Sequence, residues 1–496
     1  MEDSLKKRYA VKLVANFLNG IIGVLIIAIV PKALGPIAYG QFSYLQQFFT
    51  QIIGFLDMGS SIAFFTKLSA KSNRKELITF YFIYAFMLLI LIFLFIFFID
   101  IFDYTKAILP DIPNQYIYFG LMFGFFTWFT QIYIKISDAY ALTVSVELIK
   151  IIHKIFSLFL LLFFVYGITF DLTTYFYFHY ISIFSLLVII SFLFWKKKIF
   201  SKNLLTLKLE FKKLTNEFIK FCSPLVVYST VSIIVGLFDI WLIQKMGGST
   251  QTGFYGLAYS IAAMCFLFTG AMTPIIMREF SKSFEQKDFE NMKKLFSRYV
   301  PMLYSIAAFF GVFISFQAEN LLSILTDEKF KDALWVVVIM AFYPIHQTYG
   351  QLSSSIFYAT EQTKLYRNIG LVSMAIGMIF SIIFIYFLDL GAMGLAMKMI
   401  LGQFIGVNIQ LYFNSKFLNL NISYFLKHQI YSILFFLFFA LVSQSLAPVT
   451  QKPIFDFLVS GFIYFISVII VSYLYPNIFS VSKNEINTFL MKFKKR

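Results

Sequence analysis

The feature that most constrains this chain is a series of fourteen apolar runs, most of them near 20 residues, separated by short polar connections. An α-helix needs about 20 residues to cross ~30 Å of hydrocarbon. Backbone polar groups in lipid must be satisfied within the segment, so runs of this kind read as membrane-spanning helices. They lie near 12–33, 42–65, 78–99, 115–136, 144–167, 172–194, 222–246, 253–276, 299–317, 333–359, 366–388, 391–413, 428–447 and 454–475. The expected fold class is therefore an all-α polytopic membrane protein. Composition agrees: only 13% of the residues are charged, about half the share a soluble domain carries. A chain so poor in charge cannot cover itself with a water-facing surface.

The net charge of +16 comes from 41 Lys and Arg against 25 Asp and Glu. In a soluble protein this balance would suggest nucleic acid, but its distribution excludes that reading. With a cytoplasmic N-terminus, 34 basic residues fall in cytoplasmic segments, six fall outside, and Lys398 sits within a span. This bias predicts that both termini are cytoplasmic. The first apolar run lacks a small-residue cleavage site and is expected to stay as the first membrane helix. Cys222 and Cys265 both lie in apolar stretches, which argues against a disulfide or a cysteine-based metal site.

The longest connection, 196–220, is basic, and Phe211, Leu214, Phe218 and Phe221 recur in it at helical spacing. This predicts a short amphipathic helix lying on the membrane surface. A faint repeat links LGPIAYGQFSYLQQF after the first span to GGSTQTGFYGLAYSI after the seventh, with Gly40 and Gly253 as matching points. Two six-helix lobes follow from it: 1–195 and 221–415, joined by the 196–220 linker. Residues 416–496, with spans thirteen and fourteen and a basic tail, are expected as an appendage.

Four spans carry polar stripes at helical period. The first has Lys12, Asn16 and Asn19, with Gly20 and Gly23. The second has Gln46, Thr50 and Asp57, with Gln47 and Gln51 beside them. The seventh has Tyr228, Ser232, Gly236 and Asp239, and the tenth has Tyr343, Gln347, Gly350, Gln351, Ser354 and Tyr358, with His346 adjacent. Polar groups unpaired in lipid cost several kcal/mol each, so these stripes face either a polar cavity or one another as interhelical glue. Lys398, in GAMGLAMKMILGQ, reads as a cavity cation or a snorkelling side chain. Asp57 and Asp239, placed near the outer ends of their helices, read as sites for a coupling proton or sodium ion, or as caps. His346 reads as a proton relay or a satisfied bundle histidine. No P-loop, nucleophile elbow or metal-spaced cluster is present in the sequence. An enzyme, a cofactor and a bound metal are therefore not expected.

Several stretches resemble the lipid-linked oligosaccharide and O-antigen flippases of the multidrug/oligosaccharidyl-lipid/polysaccharide exporter superfamily. They are LGPIAYGQFSYLQQFFTQIIGFLDMGSSIAFFTKLS, FIKFCSPLVVYSTVSII with Pro224, TGFYGLAYSIAAM, EKFKDALWVVVIMAFYPIHQTYGQLSSSIFYATEQTKLYRNIG and DLGAMGLAMKMILGQFIGV. The resemblance implies a bacterial inner-membrane protein that turns undecaprenyl-diphosphate-linked glycan repeat units from the inner to the outer leaflet. It implies alternating access between two lobes around a hydrophilic cavity, and other polysaccharide assembly proteins as partners. Two other readings stay open: a cation-coupled multidrug exporter of the same superfamily, and a membrane polysaccharide polymerase or ligase. The exporters usually carry a more acidic cavity, and the polymerases a large outer loop that this chain lacks.

Overall fold

The computed structural model describes residues 5–70, 74–140, 142–200, 210–222, 226–266, 286–360, 362–447 and 452–481, with single positions at 269, 273, 276, 279–280, 283–284, 450 and 483. Among these the chain is helical throughout, and eleven helices are long and apolar enough to cross a membrane. Two of the eleven hold a glycine break and take in parts of two expected spans each, as described below. By internal contact the chain divides into two compact units, Met1–Gly253 and Phe254–Arg496.

The first unit opens with α1 (Leu5–Asp57), which breaks at Gly35 (φ 74°, ψ 171°). It continues with α2 (Ser60–Ala70), α3 (Glu76–Ile101), the single turn α4 (Thr105–Ile108), α5 (Asn114–Ala139), α6 (Thr143–Gly167), α7 (Leu172–Lys196) and α8 (Phe211–Cys222). The last helix, α9 (Val226–Ala263), breaks at Gly248 (φ 67°, ψ −172°) and runs past the unit boundary. The backbone region of Gly35 and Gly248 is open essentially to glycine alone. Close packing in this unit rests on small residues. A Cβ on Gly120 of α5 would stand 2.8 Å from Leu45, and one on Gly124 would stand 2.7 Å from Phe49. Glycines at these points let α1 and α5 approach at backbone distance.

The second span is not the continuous helix expected over 42–65. It stops at Asp57, turns through Met58 (φ 44°) and Gly59 (φ 80°), and resumes at Ser60. The amphipathic helix expected within 196–220 is α8, and its apolar face is divided: Phe211 is exposed, while part of the face packs on α3. Leu214 and Phe218 are buried, and the Phe218 ring stands 5.3 Å from Phe80 and 6.1 Å from Tyr81 of α3. Those rings take Leu214 and Phe218 out of water.

The second unit holds α10 (Phe289–Phe316), α11 (Ala318–Leu325), α12 (Leu334–Met340), α13 (Tyr343–Ala359) and α14 (Thr363–Ser381), followed by a π turn over Ile382–Phe387. It ends with α15 (Gly391–Phe417), α16 (Ile422–Leu446) and α17 (Pro453–Leu474). Its core joins Tyr304 and Val312 of α10, Tyr349 of α13, Phe436 of α16 and Tyr464 of α17. The Tyr464 hydroxyl donates to the Phe309 carbonyl at 3.0 Å, and its ring stacks on Phe313. The last two spans are thus built into this core rather than attached beside it. The tenth span also departs from the continuous helix expected over 333–359, breaking at Ala341–Phe342 between α12 and α13. Pro344 explains the break, because it lacks an N–H and its ring would clash with the carbonyl four residues back, at Met340.

Candidate functional site

In the first unit the second-span stripe sits on an open face. Gln46 and Thr50 are exposed and Gln47 and Gln51 half-buried, while Tyr44, Leu45, Phe48 and Phe49 on the other faces are buried. A Cβ on Gly236 would stand 2.8 Å from the Gln51 amide nitrogen, so the stripes of the second and seventh spans meet there. Ser232 is half-buried beside this contact, and Asp239, less than one turn further along α9, is buried. The contact division falls after the seventh span, so three of the four stripes lie in the first unit. The side chains of Lys12, Asn16, Asn19 and Tyr228 lie outside the described residues.

Asp57 stands at a helix break within the second span. It ends α1 well past the middle of 42–65, and its carboxylate caps the start of α2. Oδ1 accepts from the Ser61 amide at 3.1 Å, the Ser60 hydroxyl at 2.9 Å and the Tyr81 hydroxyl at 3.0 Å; Oδ2 accepts from the Ser61 hydroxyl at 2.9 Å. The Lys135 amine of α5 donates to that same Ser61 hydroxyl. A carboxylate at a helix start satisfies orphan N–H groups and meets the positive end of the helix dipole.

The two glycine turns of the repeat pack against each other. A Cβ on Gly40 would overlap the Ser249 carbonyl and stand 2.9 Å from the Gly253 nitrogen. One on Gly253 would overlap the Pro36 carbonyl and stand 3.2 Å from Gly40 Cα. The loop before α5 pins the second turn: Asp111 Oδ2 accepts from the Ser249 amide at 3.0 Å. Gln244 donates to the Pro110 carbonyl at 3.0 Å and to Ser249 Oγ at 2.9 Å. At the opposite end of these helices, Glu217 of α8 meets Lys67 at 2.8 Å and Arg74 at 3.1 Å. The Arg74 and Lys67 hydrogen bonds pull the Glu217 carboxyl down to about 2, and Glu217 in turn raises Arg74.

An apolar cavity of about 630 Å³ lies between α1, α3 and α9 in this unit, lined by Phe55, Leu91, Ile234 and Trp241 among others. Thr230 is the one polar residue in its lining, so it suits a hydrocarbon chain and not a glycan.

In the second unit, Tyr343 is buried, and Gln347 and Gln351 are half-buried on α13. The Gln403 amide of α15 donates to Gln347 Oε1. His346 points away from this set, with its ring 5.9 Å from Tyr304 and 5.1 Å from Phe404. Lys398 is only 8% exposed. It faces α14, where a Cβ on Gly377 would stand 3.1 Å from its Cε. Sequence reasoning missed two participants. Lys135 counted as a cytoplasmic charge, although its apolar neighbours in IYIKIS are the signal of a half-buried cation. Gln403 shares α15 with Gln410 and Asn414 at spacings of seven and four, a helical-period signal that could have marked it.

A probable low-salt glycan biosynthesis flippase, Agl15, from Haloferax volcanii is 24% identical over 203 residues, 40% of this chain. The match spans 42% of that relative's length. Among solved structures, a lipid II flippase MurJ in an inward closed conformation superposes with a TM-score of 0.69 at 17% identity, over 93% of this chain and 98% of that one. An inward-facing multidrug resistance MATE family transporter of the MOP superfamily gives a TM-score of 0.58 at 14% identity, over 84% and 96%. At these identities the likeness to the two transporters is one of fold. Residues 5–278 match the family described as polysaccharide biosynthesis protein. More than half of the chain lies in that match, and the chain belongs to this family.

Proposed function

We propose that this chain moves lipid-linked oligosaccharide repeat units, carried on undecaprenyl diphosphate, across a bacterial cytoplasmic membrane for surface polysaccharide synthesis. It acts as a transporter and not as an enzyme, by alternating access between two lobes, with both termini in the cytoplasm. The observation that carries the reading is the open stripe of the second span, where Gln46 and Thr50 are exposed and Gln47 and Gln51 half-exposed. Amides facing lipid would cost several kcal/mol each, whereas a hydrated path for a glycan needs them. The family match and the flippase names of the relatives support the same reading. Asp57 and Asp239 serve as the sites at which a proton or sodium ion couples to the cycle. Other polysaccharide assembly proteins would take up the product.

The test is made in cells lacking this chain. Lipid-linked repeat units should accumulate in the inner leaflet, and wild-type protein should clear them. A Gln46→Leu, Gln47→Leu, Gln51→Leu variant should insert normally and clear them at least tenfold more slowly. Unchanged lipid-linked pools in the deletion strain, together with loss of dye or drug efflux, would replace this function with multidrug export.

A further inference from the structure

We propose that Gln347, Gln403 and Tyr259, grouped about Tyr343 in the second unit, form a neutral subsite that reads the sugar part of the substrate. The inference rests on the lipid-linked glycan reading and assigns to these residues the glycan, not the diphosphate. It begins at the break between α12 and α13. Transporter sites recur where a spanning helix is interrupted, because the interruption brings polar groups to mid-depth. Tyr343 is the first residue of α13 after the break, and Gln347 follows one turn later. Gln403 lies near the middle of α15. Its amide donates to Gln347 Oε1, and the same side chain lies beside the Tyr343 hydroxyl. Tyr343 is buried and holds the group from behind. The Tyr259 ring, 6.0 Å from Tyr343 and tilted by 40°, is 39% exposed. A large aromatic face is thus open beside two half-buried amides.

The chemistry of this set selects for sugar. An amide offers a donor and an acceptor side by side, which matches the neighbouring hydroxyls of a pyranose. The bond to Gln403 uses the Gln347 carbonyl and leaves the Gln347 N–H groups without a partner among the described residues. A tyrosine ring supplies a flat apolar face for the C–H side of a sugar and a hydroxyl at its edge. A diphosphate would instead call for cations or forked guanidinium donors. Among the described residues, α13 carries no Lys or Arg, and Lys398 of α15 packs its Cε against Gly377 of α14. The competing account is that the amide pair merely joins α13 to α15, as amides do between membrane helices.

Two probes separate these accounts: the lipid-linked glycan extracted from the source cells, and undecaprenyl diphosphate without sugar. Binding to full-length protein in nanodiscs is read for wild type, Gln347→Leu, Gln403→Leu, Tyr259→Phe and Tyr259→Ala. Wild type should bind the glycolipid at least tenfold more tightly than the bare lipid. Gln347→Leu, Gln403→Leu and Tyr259→Ala should reduce glycolipid binding to the bare-lipid level and leave the bare lipid unchanged, while Tyr259→Phe retains most of the preference. Tyr259→Ala changes an exposed ring and gives the answer if the leucine variants do not fold. Wild-type preference in the variants, or equal loss of both probes, overturns the subsite. Wild type that binds neither probe overturns the transport reading itself.

Discussion

Gly40 and Gly253 touch backbone to backbone, and the contact is reciprocal. Gly40 presses on the Ser249 carbonyl and Gly253 on the Pro36 carbonyl. The same 213-residue offset separates Gly35 from Gly248, Pro36 from Ser249 and Gly40 from Gly253. Gly35 and Gly248 also share one unusual backbone conformation. The weak repeat in the sequence is therefore a structural one, with its two copies packed against each other around the paired glycines.

Side chains at these glycines should be costly. Gly253→Val and Gly40→Val should each lower stability by about 1–3 kcal/mol through overpacking. Gly35→Ala and Gly248→Ala should cost a similar amount through strain. Thermal unfolding of purified protein measures this, and a Tm unchanged from wild type in the valine variants would contradict the close contact. The same turns offer a test of alternating access. A disulfide engineered across them, in a chain with Cys222 and Cys265 replaced, should stop glycan export until it is reduced.

The proposed topology rests on the charge bias. Reporter fusions at Lys202 and Lys492 should read as cytoplasmic, and a fusion at Ser249 as external. The reverse pattern would invert the assignment of both ends.

Lys398 is buried and packs against Gly377 of α14. If the amine meets the lipid diphosphate during transport, Lys398→Ala should abolish export with normal protein level, and Lys398→Arg should keep part of it. Full export in Lys398→Ala would return this residue to a packing role.

Asp57 ties a helix break to Tyr81 of α3 through the 3.0 Å hydrogen bond. Tyr81→Phe should cost about 1 kcal/mol by removing that bond. Asp57→Asn should slow export at least tenfold if the carboxylate exchanges a coupling ion. A cap alone predicts a lower Tm with export per molecule unchanged.

Glu217 clamps α8 onto the ends of α2 and α3. Its carboxyl is held at about 2, below its ordinary value of 4.5, chiefly by Arg74 and then by Lys67. A depressed carboxyl contributes stability above its unfolded pKa and loses it as pH falls through the folded value. The clamp should therefore be constant from pH 5 upward and loosen only between about 4.5 and 2. In a Cys265→Ser background, Glu217→Gln should speed maleimide labelling of the buried Cys222 several-fold at pH 7. Equal labelling rates would show that the ion pairs do not hold α8.

Much of the architecture was legible in the chain. Fourteen hydrophobic runs determine a polytopic helical protein, because lipid accepts no other backbone arrangement from such segments. The helical period of Gln46, Gln47, Thr50 and Gln51 likewise announced a polar face, and the structure leaves that face open. The period could not show which polar residues close on one another. Asp57 became a cap because the helix stops there, through the positive φ angles of Met58 and Gly59. Lys135 joined that cluster, and Gln403 joined Gln347, from helices distant in sequence. The tenth span kept its apolar run while Pro344 broke it. Local hydrophobicity decides that a segment enters the membrane, since transfer energy adds up residue by residue. The partner of each buried polar group is decided by which helices pack side by side, and no single helix carries that information.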